Sequence, residues 1–348
     1  MQLTINQTTY SQQQFPALIE EKKQQQLPEW EAAFFAFLEK WMDNNDTVPG
    51  QTSGSTGTPK NIALSKQSMM ASARLTNDYF KLKEGDTILM SLSANYIAGK
   101  MMVVRAWISD LHLIVTEPAS TPEIPQRVKF GAMVPMQVEK LMSSESGRET
   151  LEQIETLIIG GSAVPFALEQ RLKGISTACY CTYGMTETVS HIALRRINGT
   201  EASEQYFALR NVRFELDERG CLVIFAPHLQ AEPFVTNDLV ELSSPYRFRW
   251  LGRFDNVINS GGIKLFPETI EQKLSPAIPQ RFFLTAFSDE ILGQKLVLVI
   301  EGEEYTEAEN QVLQEYFSNH LSKYEKPRQI IFRKRFNETS TGKVKREI

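Results

Sequence analysis

Apolar positions recur along this chain at two periods, and the switch between them marks its elements. Trp30, Ala33, Phe34, Phe37, Leu38 and Trp41 fall at helical spacing between residues 28 and 42. One apolar stripe results, which predicts a helix whose aromatic face packs into a core. Residues 64–82 also read as helix, followed by a buried strand over 87–93. The alternation continues with a helix over 96–110, strands over 112–118 and 131–135, and a helix in VEKLMSS. A strand over 155–161, a helix in PFALEQRLKG and a strand over 177–184 complete it. Apolar strands separated by helices predict a parallel, doubly wound α/β sheet with ligands at the carboxyl ends of its strands.

After about residue 205 the texture changes. FELDERGCLVIF reads as a hairpin turning at Glu218–Gly220, and LVELSSPYRFRWLGR as a second. From Asn256 a smaller unit follows: a helix near 267–274, two strands within 281–301, a helix over 306–322 and a strand over 329–335. The boundary is placed at Arg253–Asn256, giving a large N-terminal domain, residues 1–254, and a small α+β C-terminal domain, residues 255–348.

With 348 residues and 42% hydrophobic content, the chain can bury two cores. A formal net charge of −5 offers no basic footprint, so no nucleic-acid partner is expected. The one local excess of cations is C-terminal: Arg328, Arg333, Lys334, Arg335, Lys343, Lys345 and Arg346. It reads either as a solvated surface or as the neighbourhood of an anionic ligand. Cys179 and Cys181 stand two apart in a strand-like run and are read as facing opposite ways, so buried reduced thiols are expected in place of a metal pair. The apolar run MMVVRAWI is interrupted by Arg105 and too short to span a bilayer. The N-terminus lacks the basic and apolar regions of a signal peptide, and the cytoplasm is the expected location. Oligomeric state stays open, a homo-oligomer included.

The sharpest chemical feature is the run Thr52, Ser53, Gly54, Ser55, Thr56, Gly57, Thr58, Pro59, Lys60. Glycines let a backbone fold tightly and present several N–H groups to one anion, hydroxyls add donors, and Lys60 adds charge. Such a loop suits a polyphosphate, although it departs from the usual GxxxxGK[ST] order. Tyr183, Gly184, Met185, Thr186, Glu187 and Thr188 follow a buried strand: an aromatic face for a base, a hydroxyl for a phosphate and a carboxylate for Mg²⁺. Downstream come Asp238, suited to a ribose diol, then Gly252-Arg253-Phe254-Asp255, Ser260-Gly261-Gly262-Ile263-Lys264 and Thr339-Ser340-Thr341-Gly342-Lys343.

These stretches, in this order, resemble the adenylate-forming superfamily of acyl-CoA synthetases, peptide-synthetase adenylation domains and luciferases, from about residue 50 to the C-terminus. The resemblance implies ATP, Mg²⁺ and coenzyme A as cofactors and co-substrates, and a small mobile C-terminal domain. It implies that residues 52–60 clamp the ATP phosphates and that Gly161, Ser162 and Ala163 line the adenine pocket with Tyr183 and Gly184. Thr186 would contact the α-phosphate and Glu187 would hold Mg²⁺, while Asp238 and Arg253 bind the ribose. Asp255 would be the hinge, Gly261, Gly262 and Lys264 would lie near the thiol channel, and Lys343 would bridge carboxylate and α-phosphate.

Against this pattern the chain is short ahead of its phosphate loop, and Tyr96 stands where the family often carries a His. None of His112, His191, His228 and His320 sits there. The shortness and YIAGKMMVVRA are similar to compact bacterial o-succinylbenzoate–CoA ligases of menaquinone synthesis. That acid has a second carboxylate, for which Lys100 and Arg105 are the local candidate cations, with Tyr96 able to pack on the ring. The plainer reading has both cations facing solvent or pairing with acids. Other readings are a different aryl or acyl acid, a stand-alone enzyme loading a carrier protein, or a silent nucleotide binder.

Overall fold

The computed structural model describes residues 2–51, 61–338 and 344–346. The chain divides into two compact units, Met1–Arg213 with Phe225–Phe234, and Phe214–Ile224 with Val235–Ile348.

In the first unit the elements are β1 (Gln2–Ile5), β2 (Thr8–Ser11), α1 (Phe15–Lys23), α2 (Glu29–Met42), β3 (Thr47–Gln51), β4 (Asn61–Ser65), α3 (Lys66–Tyr79), β5 (Thr87–Met90) and α4 (Ile97–Ile108). They continue with β6 (His112–Val115), β7 (Val128–Met133), α5 (Pro135–Leu141), α6 (Glu145–Leu151), β8 (Ile154–Ile159), α7 (Phe166–Leu172), β9 (Ala178–Gly184), β10 (His191–Arg196) and β11 (Tyr206–Ala208). Strands run in the order β11-β10-β9-β8-β7-β5-β6-β1-β2. From β9 to β1 every neighbouring pair is parallel. The predicted parallel sheet is therefore present, and β2, β10 and β11 extend its ends with antiparallel pairing.

Local chemistry sets the boundaries that periodicity missed. Helix α3 starts at Lys66, two residues later than expected, because the Ser65 hydroxyl accepts the Ser68 N–H at 3.3 Å and caps it. Helix α5 starts at Pro135, earlier than expected, because a proline at the first helical position loses no hydrogen bond. The β1–β2 hairpin and α1 lie in a polar, glutamine-rich stretch and were not expected. β1 is held because its Leu3 is fully buried and its backbone pairs with β6.

The cysteine expectation needs correction. Residues two apart in a strand share a face, and Cys179 and Cys181 both enter one core cluster with Leu157, Ile159, Leu168 and Leu172. Burial pushes both thiols up to about 12.

Strands β12 (Arg213–Leu216), β13 (Cys221–Phe225), β14 (Phe234–Ser244) and β15 (Arg247–Arg253) are neighbours in that order and, but for the end residues Arg213, Phe225 and Phe234, belong to the second unit. After β16 (Ile258–Ser260) and β17 (Ile263–Leu265) come α8 (Pro267–Leu274), β18 (Phe282–Asp289), β19 (Gly293–Glu301), α9 (Glu307–His320) and β20 (Gln329–Arg333). The second sheet runs β17-β16-β19-β18, with β20 parallel to β19. Period-two alternation along β19 divides its core: Leu296, Leu298 and Ile300 pack with Ile270, Leu274, Leu313 and Phe317 of the helices. Val297 and Val299 pack with Phe283 and Phe336 instead.

Candidate active site

Strands β8 and β9 are parallel neighbours with Ile159 opposite Cys181, so Gly160–Ala163, just past the end of β8, and Tyr183–Gly184, the last residues of β9, lie at adjacent carboxyl ends. A Cβ on Gly160 would lie 2.2 Å from Thr182 Oγ1, and Gly161 has φ +86°, so this turn depends on both glycines. Ser162 and Ala163 are exposed beside them. The Tyr183 ring packs against Tyr206 at a centroid distance of 5.7 Å. Behind it the Arg195 guanidinium lies 5.6 Å from the Tyr206 ring and pairs with Glu169. Tyr183 is thus a backed aromatic surface, not an isolated ring.

The turn after β9 is tightly determined. Met185 N–H donates to Thr188 Oγ1 at 2.9 Å, and that hydroxyl lies 2.8 Å from the Ser190 carbonyl. Val189 has φ +64°, a costly conformation for a β-branched residue. A Cβ on Gly184 would come 2.5 Å from Ser190 O and 2.7 Å from His191 Cα. This turn presents Glu187 exposed and Thr186 half-buried.

Helix α4 holds the bases of two motif segments. Lys100 is 8% exposed and donates from Nζ to the Pro49 carbonyl at 2.7 Å, in β3. Arg105 is 2% exposed and donates from Nη2 to Ser190 Oγ at 2.9 Å. Its Nη1 points at Met102 Sδ, 3.4 Å away, and its guanidinium lies 6.0 Å from the Phe130 ring. Neither cation faces solvent, and none of these partners is a carboxylate. Burial lowers the Lys100 pKa and brings Arg105 to about 9. Tyr96, by contrast, is 64% exposed where α4 begins. His191 is buried 3.3 Å from Thr76 Oγ1, and burial with the nearby Arg105 charge drives its pKa well down, keeping it neutral.

Within the second unit, Asp238 and Arg253 face each other across β14 and β15, with Nη1 to Oδ1 at 3.6 Å. Leu239 pairs with Gly252 and Val240 with Trp250, so Leu251 is the extra residue of a β-bulge. Trp250 donates its indole N–H to Asp238 Oδ1 at 3.3 Å. Asp255 accepts from Asn237 Nδ2 at 3.3 Å and from Arg253 Nη2 at 3.4 Å. Gly261 and Gly262, at φ +59° and +81°, form the two-residue turn of the β16–β17 hairpin, with Lys264 exposed beside it.

Thr52, Ser53, Gly54, Ser55, Thr56, Gly57 and Lys60 lie outside the described residues, as does Lys343. The residues flanking the first segment, Gln51 and Asn61, are paired. No group of three or more His, Cys, Asp or Glu side chains suited to a metal occurs among the described residues. Trp250 and Tyr206 escaped sequence reasoning. Only the aromatic ahead of Gly252-Arg253 could have pointed to Trp250, whereas Tyr206 reaches Tyr183 through pairing that no local pattern specifies.

A model of the AMP-binding enzyme family matches residues 7–221, more than half of the chain. The chain belongs to the AMP-binding enzyme family. An acyl-CoA synthetase (AMP-forming)/AMP-acid ligase II-like protein from Dyadobacter fermentans is 38% identical, with 93% of this chain and 95% of that one covered and a TM-score of 0.62. The 2-succinylbenzoate–CoA ligase of Escherichia coli is 24% identical over 292 residues, 79% of this chain and 62% of that protein. The o-succinylbenzoate coenzyme A synthetase of Bacillus subtilis, solved with ATP and magnesium, is 19% identical, with 85% of this chain and 68% of that one covered and a TM-score of 0.68. The mixed α/β architecture is that of the adenylate-forming enzymes of this family. The chain spans less than two thirds of its Escherichia coli and Salmonella typhimurium relatives, 62% and 66%. Among the described residues, no helix is long and apolar enough to cross a membrane.

Proposed function

We propose that this AMP-binding family chain is an ATP-dependent acid–CoA ligase acting through an acyl-adenylate, with o-succinylbenzoate as its acid. One observation carries the reading: a chain of this family keeps the Tyr183–Thr188 turn, the Asp238–Arg253 pair and Lys343 in order. The 2-succinylbenzoate–CoA ligases among its relatives support the choice of acid. ATP and coenzyme A as co-substrates make the cytoplasm its place of work.

The chemistry follows from charge. A carboxylate attacking the α-phosphorus brings two anions together, and donors must offset that repulsion. Residues 52–60 would hold the β- and γ-phosphates and Thr186 the α-phosphate. Gly161, Ser162, Ala163, Tyr183 and Gly184 would hold adenine, and Asp238 with Arg253 the ribose. Lys343 would lie on the forming acyl–phosphate bond. The exposed Glu187 fits Mg²⁺, an ion commonly held by one or two carboxylates plus phosphate oxygens, and the bound ion would supply further neutralising charge. Pyrophosphate leaves, and a thiolate then displaces AMP from the acyl carbonyl. For that second step the domain of residues 255–348 would swing about Asp255 and bring Gly261, Gly262 and Lys264 to the thiol.

Of the three residues suggested for the acid, exposed Tyr96 is the one suited to pack on its ring. Lys100 and Arg105, tied to Pro49 and Ser190, would act from beneath. A pyrophosphate-release assay over a panel of carboxylic acids tests the proposal. Turnover with o-succinylbenzoate is expected; turnover only with other acids removes the specific acid, and none with any acid removes the ligase.

A further inference from the structure

Resting on the adenylation role given to Lys343, we infer that Arg346 is a positioning residue for that lysine. Its anchor is a carboxylate pair on α8, formed by Glu271 and Glu268.

The observations lie within the second unit. The Arg346 guanidinium grips Glu271 through two hydrogen bonds, Nη1 to Oε1 at 2.6 Å and Nη2 to Oε2 at 2.8 Å. Nη1 also donates to the Leu284 carbonyl at 3.1 Å, and Nη2 lies 3.6 Å from Glu268 Oε1. Glu271 in turn accepts the Leu284 N–H at 2.6 Å. The arginine is therefore fixed between a helix and a strand, in the planar two-bond geometry that Arg alone supplies.

The described residues on either side of 339–343 are tied to one another. Glu338 and Val344 form an antiparallel bridge, and Lys345 N–H donates to the Asn337 carbonyl at 2.8 Å. Val344 packs against the cluster of Phe283, Val297, Val299 and Phe336. On the near side, Arg281 pairs with Glu338. The two ion pairs differ in weight. The Arg281 side chain is 48% exposed, so its pair contributes little in water. The Arg346 and Glu271 side chains are 28% and 17% exposed, and their two-bond geometry sets direction as well as distance. Arg346 is thus anchored to α8 three residues beyond Lys343.

The anchor is itself braced. Asn256 Nδ2 donates to Glu268 Oε1 at 2.5 Å, and Glu268 lies so close to Gly252 that a Cβ there would sit 2.4 Å from Oε2. Thr269 Oγ1 donates to the Leu251 carbonyl at 2.8 Å. The turn following Arg253, helix α8 and the C-terminal segment consequently share one polar network. A lysine that must meet a reacting phosphate within a fraction of an ångström needs such a fixed root.

The experiment compares the two half-reactions in Arg346→Met, Arg346→Lys and Glu271→Gln. Adenylation is read as ATP–pyrophosphate exchange with o-succinylbenzoate, and thioester formation as CoA consumption with preformed acyl-adenylate. Arg346→Met is expected to lower the exchange rate constant by about 100-fold, the cost of an ångström's misplacement, with KM for ATP unchanged. Thioester formation should stay within about twofold, and Arg346→Lys should recover part of the loss. Thermal unfolding is followed in parallel; if Arg346→Met fails to fold, Arg346→Lys and Glu271→Gln carry the comparison. Equal loss of both half-reactions, or of neither, overturns the positioning role. Lys343→Ala separates this from the underlying reading: if it spares exchange, the role of the lysine itself falls.

Discussion

Trp250 donates its indole N–H to Asp238 Oδ1 at 3.3 Å, the same oxygen that Arg253 approaches at 3.6 Å. The bulge at Leu251 makes this convergence possible by changing the register between Trp250 and Arg253. Two donors on one oxygen fix the orientation of the carboxylate proposed to hold ribose. Trp250→Phe keeps an aromatic ring and removes the donor. We expect KM for ATP to rise about fivefold, the equivalent of about 1 kcal/mol, with kcat nearly unchanged. An unchanged KM beside a raised one in Asp238→Asn would dismiss the orienting role.

Gly184 faces the Ser190–His191 backbone where a Cβ would have to sit. Gly184→Ala would press a Cβ against Ser190 O and His191 Cα, neither the end of a flexible side chain. A loss of about 1–3 kcal/mol in unfolding free energy is expected from the overpacking. Exchange activity should fall further than stability explains, because the same turn presents Thr186 and Glu187. Denaturant titration beside ATP–pyrophosphate exchange checks both, and a wild-type midpoint would contradict the crowding.

Asp43, at the end of α2, is tied to Lys66 at the start of α3. Lys66 Nζ, Asn45 Nδ2 and Asn45 N–H all donate to its carboxylate. The Lys66 bond and then the Asn45 bonds hold its pKa at about 2, below the ordinary 3.8. A depressed carboxylate stabilises the fold above its unfolded value, and that contribution drains as pH falls through the folded one. The wild-type protein should therefore lose more stability than Asp43→Asn between pH 4 and pH 2. Parallel acid limbs of the two urea-midpoint curves would contradict the assignment.

All three cysteines, Cys179, Cys181 and Cys221, are buried free thiols. Burial raises each, so little thiolate forms at neutral pH. Titration with a thiol-reactive disulfide should detect none in the native protein and all three after denaturation. Rapid modification of one native thiol would show that its strand opens locally.

Sequence alone determined the succession of β5 through β9 and the helices between them (all but β6 and β7 being separated by at least one), because buried parallel strands must be apolar on both faces. It also determined which segments carry donors, carboxylates and aromatic faces, since glycines, hydroxyls and charges announce that chemistry locally. Periodicity could not place β1, because its partner β6 is about a hundred residues away and a four-residue strand in a polar stretch leaves almost no pattern. Nor could it say which way a cation turns. Lys100 and Arg105 read as ligand-seeking or solvated charges, yet packing against Pro49 and Ser190 made them interior props. Arg346 read as one more charge in a basic tail until helix α8 supplied its carboxylates from some 75 residues earlier. The tertiary structure alone decides such roles, because the energy of a buried charge depends on partners that the chain brings near only by folding.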